Sequence, residues 1–251
     1  MPLDRMCEIT AVQQVAEMTF KIVAESKEIA GEAKPGQFAM LGFDSPSFDP
    51  FLRRPMSFAK TEFGRLEFIV RVVGWGSALL ATLKQGERIP ILGPLGNGFP
   101  EPSERAILVG GGTGIAPMAF AASRWKKAIL LYGERGQENL CGLHNGICET
   151  KIITEDGSYG EKGLVTDYLQ TELEKGPAEI FTCGPVRMME RVAQVSQELG
   201  AKCYVSLEAR MACGIGACVG CTVETRDGYK KVCSDGPVFD AEKIIWEALD
   251  D

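Results

Sequence analysis

Four cysteines carry the most specific chemistry in this sequence: Cys213-x4-Cys218-x2-Cys221, then Cys233 after eleven more residues. Each iron of a [2Fe–2S] core needs two thiolates, and three ligands in one tight loop with a fourth farther along is the plant-type spacing. Gly214, Gly216 and Gly220 lie among them, where a backbone without Cβ atoms can wrap a compact inorganic core and turn N–H groups toward its sulfurs. Zinc is the rival ligand, but structural zinc usually takes paired C-x2-C knuckles and only one is present.

A second motif, Val109-Gly110-Gly111-Gly112-Thr113-Gly114-Ile115-Ala116-Pro117, follows an apolar run and opens a helical pattern. Gly111, Gly112, Thr113 and Gly114 allow a sharp turn there, so that a pyrophosphate can approach N–H groups at a helix N-terminus. Glu134 lies about twenty residues on, where a carboxylate binds a ribose 2′-OH and repels a 2′-phosphate. That favours NAD over NADP, although Arg135 adjoins it; the alternative is a surface carboxylate. Thr182-Cys183-Gly184-Pro185 ends a later strand at the ligand-binding edge of such a sheet, which sets a place beside a nicotinamide ring against simple packing for Cys183. Cys7, Cys148 and Cys203 read as small hydrophobes, and Cys141 is undecided. The single histidine, His144, reads as a plain surface residue.

Arg53-Arg54-Pro55-Met56-Ser57 by itself is a basic pair before a proline, a pattern typical of solvated loops. Taken with Val70-Arg71-Val72 and Gly74-Trp75-Gly76-Ser77 it describes a flavin site. Arg54 would pair with a phosphate, Ser57 would bond near the isoalloxazine, and the Gly76 and Ser77 amides would hold the pyrophosphate. Hydride transfer between flavin and nicotinamide needs no protein acid or base, so a chain with one histidine suffices.

These residues need three kinds of scaffold. Residues 5 to 100 show short β-rich runs (Gln13–Ala24, Gln37–Phe43, Leu66–Val73, Arg88–Leu92) with no helical pattern of useful length, which predicts an antiparallel barrel. Gly93–Phe99, then Pro100 and Pro102, reads as a domain junction. From Glu104, short apolar runs at 106–109, 129–132, 151–154, 179–182 and 203–207 alternate with helices, which predicts a parallel sheet. Met189, Val192, Val195 and Leu199 recur at helical spacing between Pro185 and Gly200. Past 208 the chain is rich in Gly and Cys. Ala241, Ile244, Ile245, Ala248 and Leu249 then form an apolar stripe that predicts a closing helix capped by Asp240. The expected division is therefore a barrel over 1–100, an α/β unit over 101–207 and a small cluster domain over 208–251.

Composition sets the boundaries. The 251 residues carry 27 basic against 34 acidic side chains, a net −7, which argues against a nucleic-acid partner. The N-terminal stretch lacks a signal-peptide pattern and no run approaches a membrane span, which predicts a cytoplasmic protein with no membrane contact. Nine cysteines, an odd number, then point to metal or redox use rather than a disulfide framework.

The order of R-P-x-S, then G-G-G-T-G-I-A-P, then C-G-P-x-x-M-M resembles the ferredoxin–NADP reductase superfamily. Asp156-Gly-Ser-Tyr-Gly160, Arg210-Met-Ala-Cys-Gly-Ile-Gly-Ala-Cys-Val-Gly-Cys221 and Gly236-Pro-Val-Phe-Asp240 narrow the likeness to the electron-transfer subunits of class 1B dihydroorotate dehydrogenases, over essentially the whole chain. The resemblance implies FAD contacts from Arg54, Pro55, Met56, Ser57, Val70, Arg71, Val72, Gly76 and Ser77, and a [2Fe–2S] cluster on Cys213, Cys218, Cys221 and Cys233. It implies an FMN-containing catalytic partner in a heterotetramer, with electrons passing from dihydroorotate through FMN, cluster and FAD to NAD⁺. A subunit of this kind would by itself show only diaphorase-like oxidation of NADH. The alternative is a flavin and iron–sulfur subunit of a hydrogenase or of a bifurcating ferredoxin:NADP oxidoreductase. Subunits of the latter type often replace one cluster ligand, whereas all four positions are cysteine here.

Overall fold

A computed structural model of the chain describes residues 2–44, 49–144 and 146–249. The first third is the expected barrel. Strand β1 (Leu3–Ala16) turns at Glu17–Met18 into β2 (Thr19–Glu25); after the short helix α1 (Lys27–Glu32) come β3 (Phe38–Leu41), β4 (Arg54–Glu62) and β5 (Arg65–Arg71). Helix α2 (Trp75–Thr82) and β6 (Arg88–Leu95) complete it. The strands close in the order β1-β2-β5-β4-β3-β6, every pairing antiparallel. Closure leaves no open edge and encloses Ile22, Leu66, Ile89 and Ile91 around a Phe58–Phe68 pair with ring centroids 5.3 Å apart. The Arg54–Ser57 stretch is therefore ladder, not loop: Met56 and Ser57 lie opposite Ala39 and Phe38 of β3.

The α/β unit runs β7 (Arg105–Gly111), α3 (Ile115–Arg124), β8 (Ala128–Glu134), β9 (Glu149–Thr154), β10 (Glu161–Lys162), α4 (Val165–Leu173), β11 (Ala178–Cys183), α5 (Val186–Glu198) and β12 (Cys203–Ser206). Helix α5 falls where its apolar spacing placed it: Met189, Val192 and Val195 are its buried apolar positions, joined by Ser196, Pro185 is the N-cap, and Leu199 is exposed at the C-cap. In the last region β13 (Thr222–Thr225) and β14 (Gly228–Lys231) form a hairpin, and β15 (Val238–Asp240) follows. The main sheet reads β10-β9-β8-β7-β11-β12-β15, parallel except for β15, which returns antiparallel to β12.

Two expectations are corrected. The apolar stripe at 241–249 does not form one helix. It makes two single turns, Ala241–Lys243 and Trp246–Ala248, with Ile244 and Ile245 extended between them. Ile244 bridges Thr225, and the Arg226 amide donates to the Lys243 carbonyl at 2.8 Å, so pairing with the β13–β14 turn overrides helical periodicity. Asp240 still caps, accepting from the Glu242 amide at 3.1 Å. His144, expected at the surface, is buried against Tyr132 with ring centroids 5.7 Å apart, and desolvation lowers its pKa.

The parts share one interior. Phe38, Met40 and Leu95 of the barrel pack in a single cluster with Ile107 and Val109 of the sheet and with Cys221, Val232 and Cys233 of the last region. Asn97, in the stretch read as a junction, donates through Nδ2 to the carbonyls of Ser234 (3.2 Å) and Asp235 (2.9 Å), and through its amide to that of Gly236 (2.6 Å). Among the described residues no helix is long and apolar enough to cross a membrane.

Candidate functional site

The cysteine loop is held by the hairpin after it. The two-residue turn Arg226–Asp227 sets a register in which Thr222 faces Lys231, so the chain returns Cys233 beside Cys221. That is the physical content of the eleven-residue gap. The four thiols form two pairs: Cys213 and Cys218 sulfurs stand 3.3 Å apart, and Cys221 lies near enough to Cys233 to push its thiol pKa up. Two pairs of thiols form the donor set of a two-iron core. The Gly216 amide points at Cys233 Sγ (3.2 Å) and the Cys218 amide at Cys213 Sγ (3.4 Å). The Cys218 amide, helped by those of Ile215 and Ala217 against the effect of burial, brings the Cys213 thiol down to about 6. Burial, and then the Cys221 thiol, push Cys233 up to about 11. Lys231 Nζ donates to the Gly216 carbonyl at 2.6 Å and pins the loop to β14.

The same loop lies on the barrel. A Cβ at Gly214 would come within 2.6 Å of Met40 Cγ and 3.3 Å of Leu95 Cδ1, so the turn after the first cysteine meets β3 and β6 directly.

On the barrel, Arg54 begins β4 and its guanidinium lies against Gly76. A Cβ there would fall 2.1 Å from Arg54 Nε, so only glycine leaves room for a cation at the start of α2. A guanidinium beside a helix N-terminus is a cradle for phosphate, which fits a flavin nucleotide. Ser77 Oγ is committed to its own loop: it accepts from the Val73 (2.9 Å) and Gly74 (3.1 Å) amides and donates to the Gly74 carbonyl (2.9 Å). Its side chain shapes the turn at the start of α2. Pro55, Met56 and Ser57 are half-buried along β4; Val70 is fully buried in the barrel, and the Val72 amide donates to Met18.

The glycine loop lies at the ends of β7 and β11. Gly112 takes the left-handed turn at φ +57°, and Thr113 and Gly114 complete one tight turn before α3. Cys183 ends β11 beside Gly110, followed by Gly184 and an exposed Pro185. Cys183 is buried, and desolvation pushes its thiol well above the usual range. Glu134 reaches the same sheet edge, but its carboxylate is engaged: Oε1 accepts from Tyr132 Oη (3.0 Å) and Arg71 Nη2 (3.3 Å). Burial pushes this carboxyl up while Arg71 and Tyr132 pull it back. Cys141, undecided from sequence, is buried with Sγ 3.6 Å from Tyr132 Oη. Arg71 and Glu134 were each legible as site residues, for different ligands, but their pairing and Tyr132 behind it were not; only the β5 register, which points Arg71 away from the buried Val70, hints at an outward-reaching cation.

A closed antiparallel barrel packed on a parallel sheet is the architecture of the ferredoxin–NADP reductase fold, to which this chain adds a four-cysteine loop. A solved structure of an NADH-dependent reduced ferredoxin-NADP oxidoreductase superposes with a TM-score of 0.86 at 28% identity, covering 97% of this chain and 91% of that one. A ferredoxin NADP⁺ reductase from Neisseria gonorrhoeae shares the fold (TM-score 0.64, 19% identity, 78% of this chain and 92% of that one). Residues 208–245 match the iron-sulfur cluster binding domain of dihydroorotate dehydrogenase B. Relatives over most of the chain bear the name dihydroorotate dehydrogenase B (NAD(+)), electron transfer subunit. That of Caldanaerobacter subterraneus subsp. tengcongensis is 36% identical and covers 93% of each chain. That of Bacillus velezensis is 38% identical and covers 92% of this chain and 94% of its own. The chain belongs to this family of electron transfer subunits.

Proposed function

We propose that this chain passes electrons between a dihydroorotate-oxidising catalytic subunit and NAD. It would hold FAD on the barrel, NAD at the sheet edge and a [2Fe–2S] cluster in the cysteine loop, in three regions spanning 1–100, 101–207 and 208–251. The observation that carries this reading is the packing of Gly214, beside Cys213, on Met40 and Leu95, because it sets the thiol pairs against the barrel of the Arg54–Gly76 cradle. Bound FAD supplies two-electron exchange with nicotinamide and one-electron exchange with a cluster.

The chain's own residues bind and align. Arg54, with the Gly76 and Ser77 amides, would neutralise the flavin's phosphates, while Pro55, Met56, Ser57, Arg71 and Val72 would line its ring, with Val70 offering only its backbone because its side chain is buried in the barrel. Gly111, Gly112, Thr113 and Gly114 leave backbone N–H groups open to the dinucleotide's pyrophosphate, and Cys183, Gly184 and Pro185 border the nicotinamide. Glu134 ends β8 at the same sheet edge. Cys213, Cys218, Cys221 and Cys233 would hold the cluster, which supplies one-electron transfer. The partner carries FMN, two copies of each subunit assemble in the cytoplasm, and net flow runs toward NAD⁺.

The likeness to the NADH-dependent reduced ferredoxin-NADP oxidoreductase supports a second reading, a flavin subunit serving a larger iron–sulfur partner. One experiment separates them. The chain reconstituted with FAD and cluster should pass electrons from NADH to a dye, and should reduce NAD⁺ with dihydroorotate only when the catalytic subunit is added. Dye reduction without any dihydroorotate-linked activity in the complex would favour the second reading, and no dye reduction would overturn both.

A further inference from the structure

Glu134 and Arg71 lie 63 residues apart, one ending a strand of the sheet and the other ending a strand of the barrel. The Glu134 side chain is only 5% exposed and that of Arg71 33%. Arg71 is pinned at two nitrogens: Nη2 on Glu134 at 3.3 Å and Nε on Thr19 Oγ1 at 3.4 Å, at the start of β2. Its third nitrogen, Nη1, lies 3.4 Å from the position a Cβ would take at Gly112, in the turn of the glycine loop. Tyr132 Oη backs the carboxylate at 3.0 Å and is itself held by the Cys141 amide at 3.5 Å. A carboxylate engaged in this way faces the barrel rather than solvent, where a ribose would have to meet it.

We infer that Glu134 is a positioning residue: it holds the barrel's Arg71 over the Gly112 turn and thereby sets the gap between the two halves of the hydride site. The inference rests on the reading proposed above for the barrel and the glycine loop. A carboxylate that reads a ribose hydroxyl changes the choice between NADH and NADPH. A carboxylate that fixes the separation of barrel and sheet changes the rate with either nucleotide, because hydride transfer is steeply sensitive to misplacement.

The test uses the flavin- and cluster-loaded chain as wild type, Glu134→Gln, Arg71→Met and the double variant. Tyr132→Phe serves as a milder probe that leaves the ion pair in place. Gln keeps an acceptor for Tyr132 and removes the charge that holds Arg71. In stopped flow, Glu134→Gln should slow flavin reduction by about tenfold and Tyr132→Phe by about threefold, with the NADH-to-NADPH ratio unmoved. Adding Glu134→Gln to Arg71→Met should change the rate by less than about twofold, since coupled residues are not additive. Without nucleotide, amide hydrogen exchange at residues 112–116 should speed up equally in both single variants and the double. A tenfold shift in nucleotide preference on Glu134→Gln, full additivity of the two variants, or unchanged exchange at 112–116 would each overturn the inference. If the wild type is not reduced by NADH, the functional reading fails, and the exchange measurement still decides whether Glu134 acts through Arg71.

Discussion

Two loops of this molecule are rich in glycine, and they use it for opposite purposes. In the loop after β7, glycine is demanded chiefly by packing. A Cβ at Gly111 would sit 2.5 Å from Met188 Sδ, and one at Gly114 would sit 2.2 Å from the Cys183 carbonyl oxygen. Only Gly112 turns left-handed there, with nothing nearer than the tip of Arg71. In the cysteine loop the demand is for turning. Gly214 has φ +71° and a flexible Met40 side chain as its nearest neighbour, while Gly220 has nothing closer than the Cys218 sulfur at 3.8 Å. A glycine motif beside a phosphate site can thus be mostly a requirement of strand ends that touch, whereas glycines beside thiols let a chain wrap a small object.

Substitutions can break that contrast. Gly114→Ala should be the most damaging, because its Cβ meets rigid backbone at the end of β11; a loss of about 3 kcal/mol in urea unfolding is expected. A cost below about 1 kcal/mol would mean the two strand ends part easily and the packing account is wrong. Gly214→Ala combines a left-handed backbone with a contact that Met40 can relieve, so about 2 kcal/mol is expected, with weakened visible absorption of the reconstituted cluster. If the spectrum is unchanged, the turn at 214 matters to the barrel contact and not to the thiols. Gly220→Ala should stay within about 0.5 kcal/mol and keep the cluster spectrum, since no atom opposes the added methyl. A large effect there would show that wrapping the core demands a glycine that the thiol positions alone do not reveal.

The features legible in the sequence were those that local chemistry decides. Cysteine spacing, the apolar runs that became β7, β8, β9, β11 and β12, and the Pro185-to-Gly200 helix each depend on a few neighbouring residues. Features that depend on a distant partner were not legible. The stripe from Ala241 to Leu249 has helical spacing, yet backbone pairing with Thr225 and Arg226 breaks it at Ile244. His144 carries no mark of burial until Tyr132 is placed beside it. Glu134 lies at the sheet edge that its spacing predicted, but the cation that occupies it comes from the barrel, and no pattern near Glu134 announces Arg71. The contacts of Gly96 and Asn97 with residues 234–237 likewise tie distant parts of the chain together with no local pattern to announce them.

The return of β15 to β12 has a consequence for how the molecule is made. A ribosome delivers Cys233 only five residues before Val238, so the fourth thiol and the strand that closes the sheet are made almost together. Over the same interval the backbone groups of β12 that later pair with Tyr204–Asp240, Val205–Phe239 and Ser206–Val238 register lack that partner strand. An unpaired strand edge invites pairing with other chains. Because only residues 234–237 separate Cys233 from β15, loss of that last pairing would bare the stickiest edge of the sheet and loosen the anchor of the fourth thiol together.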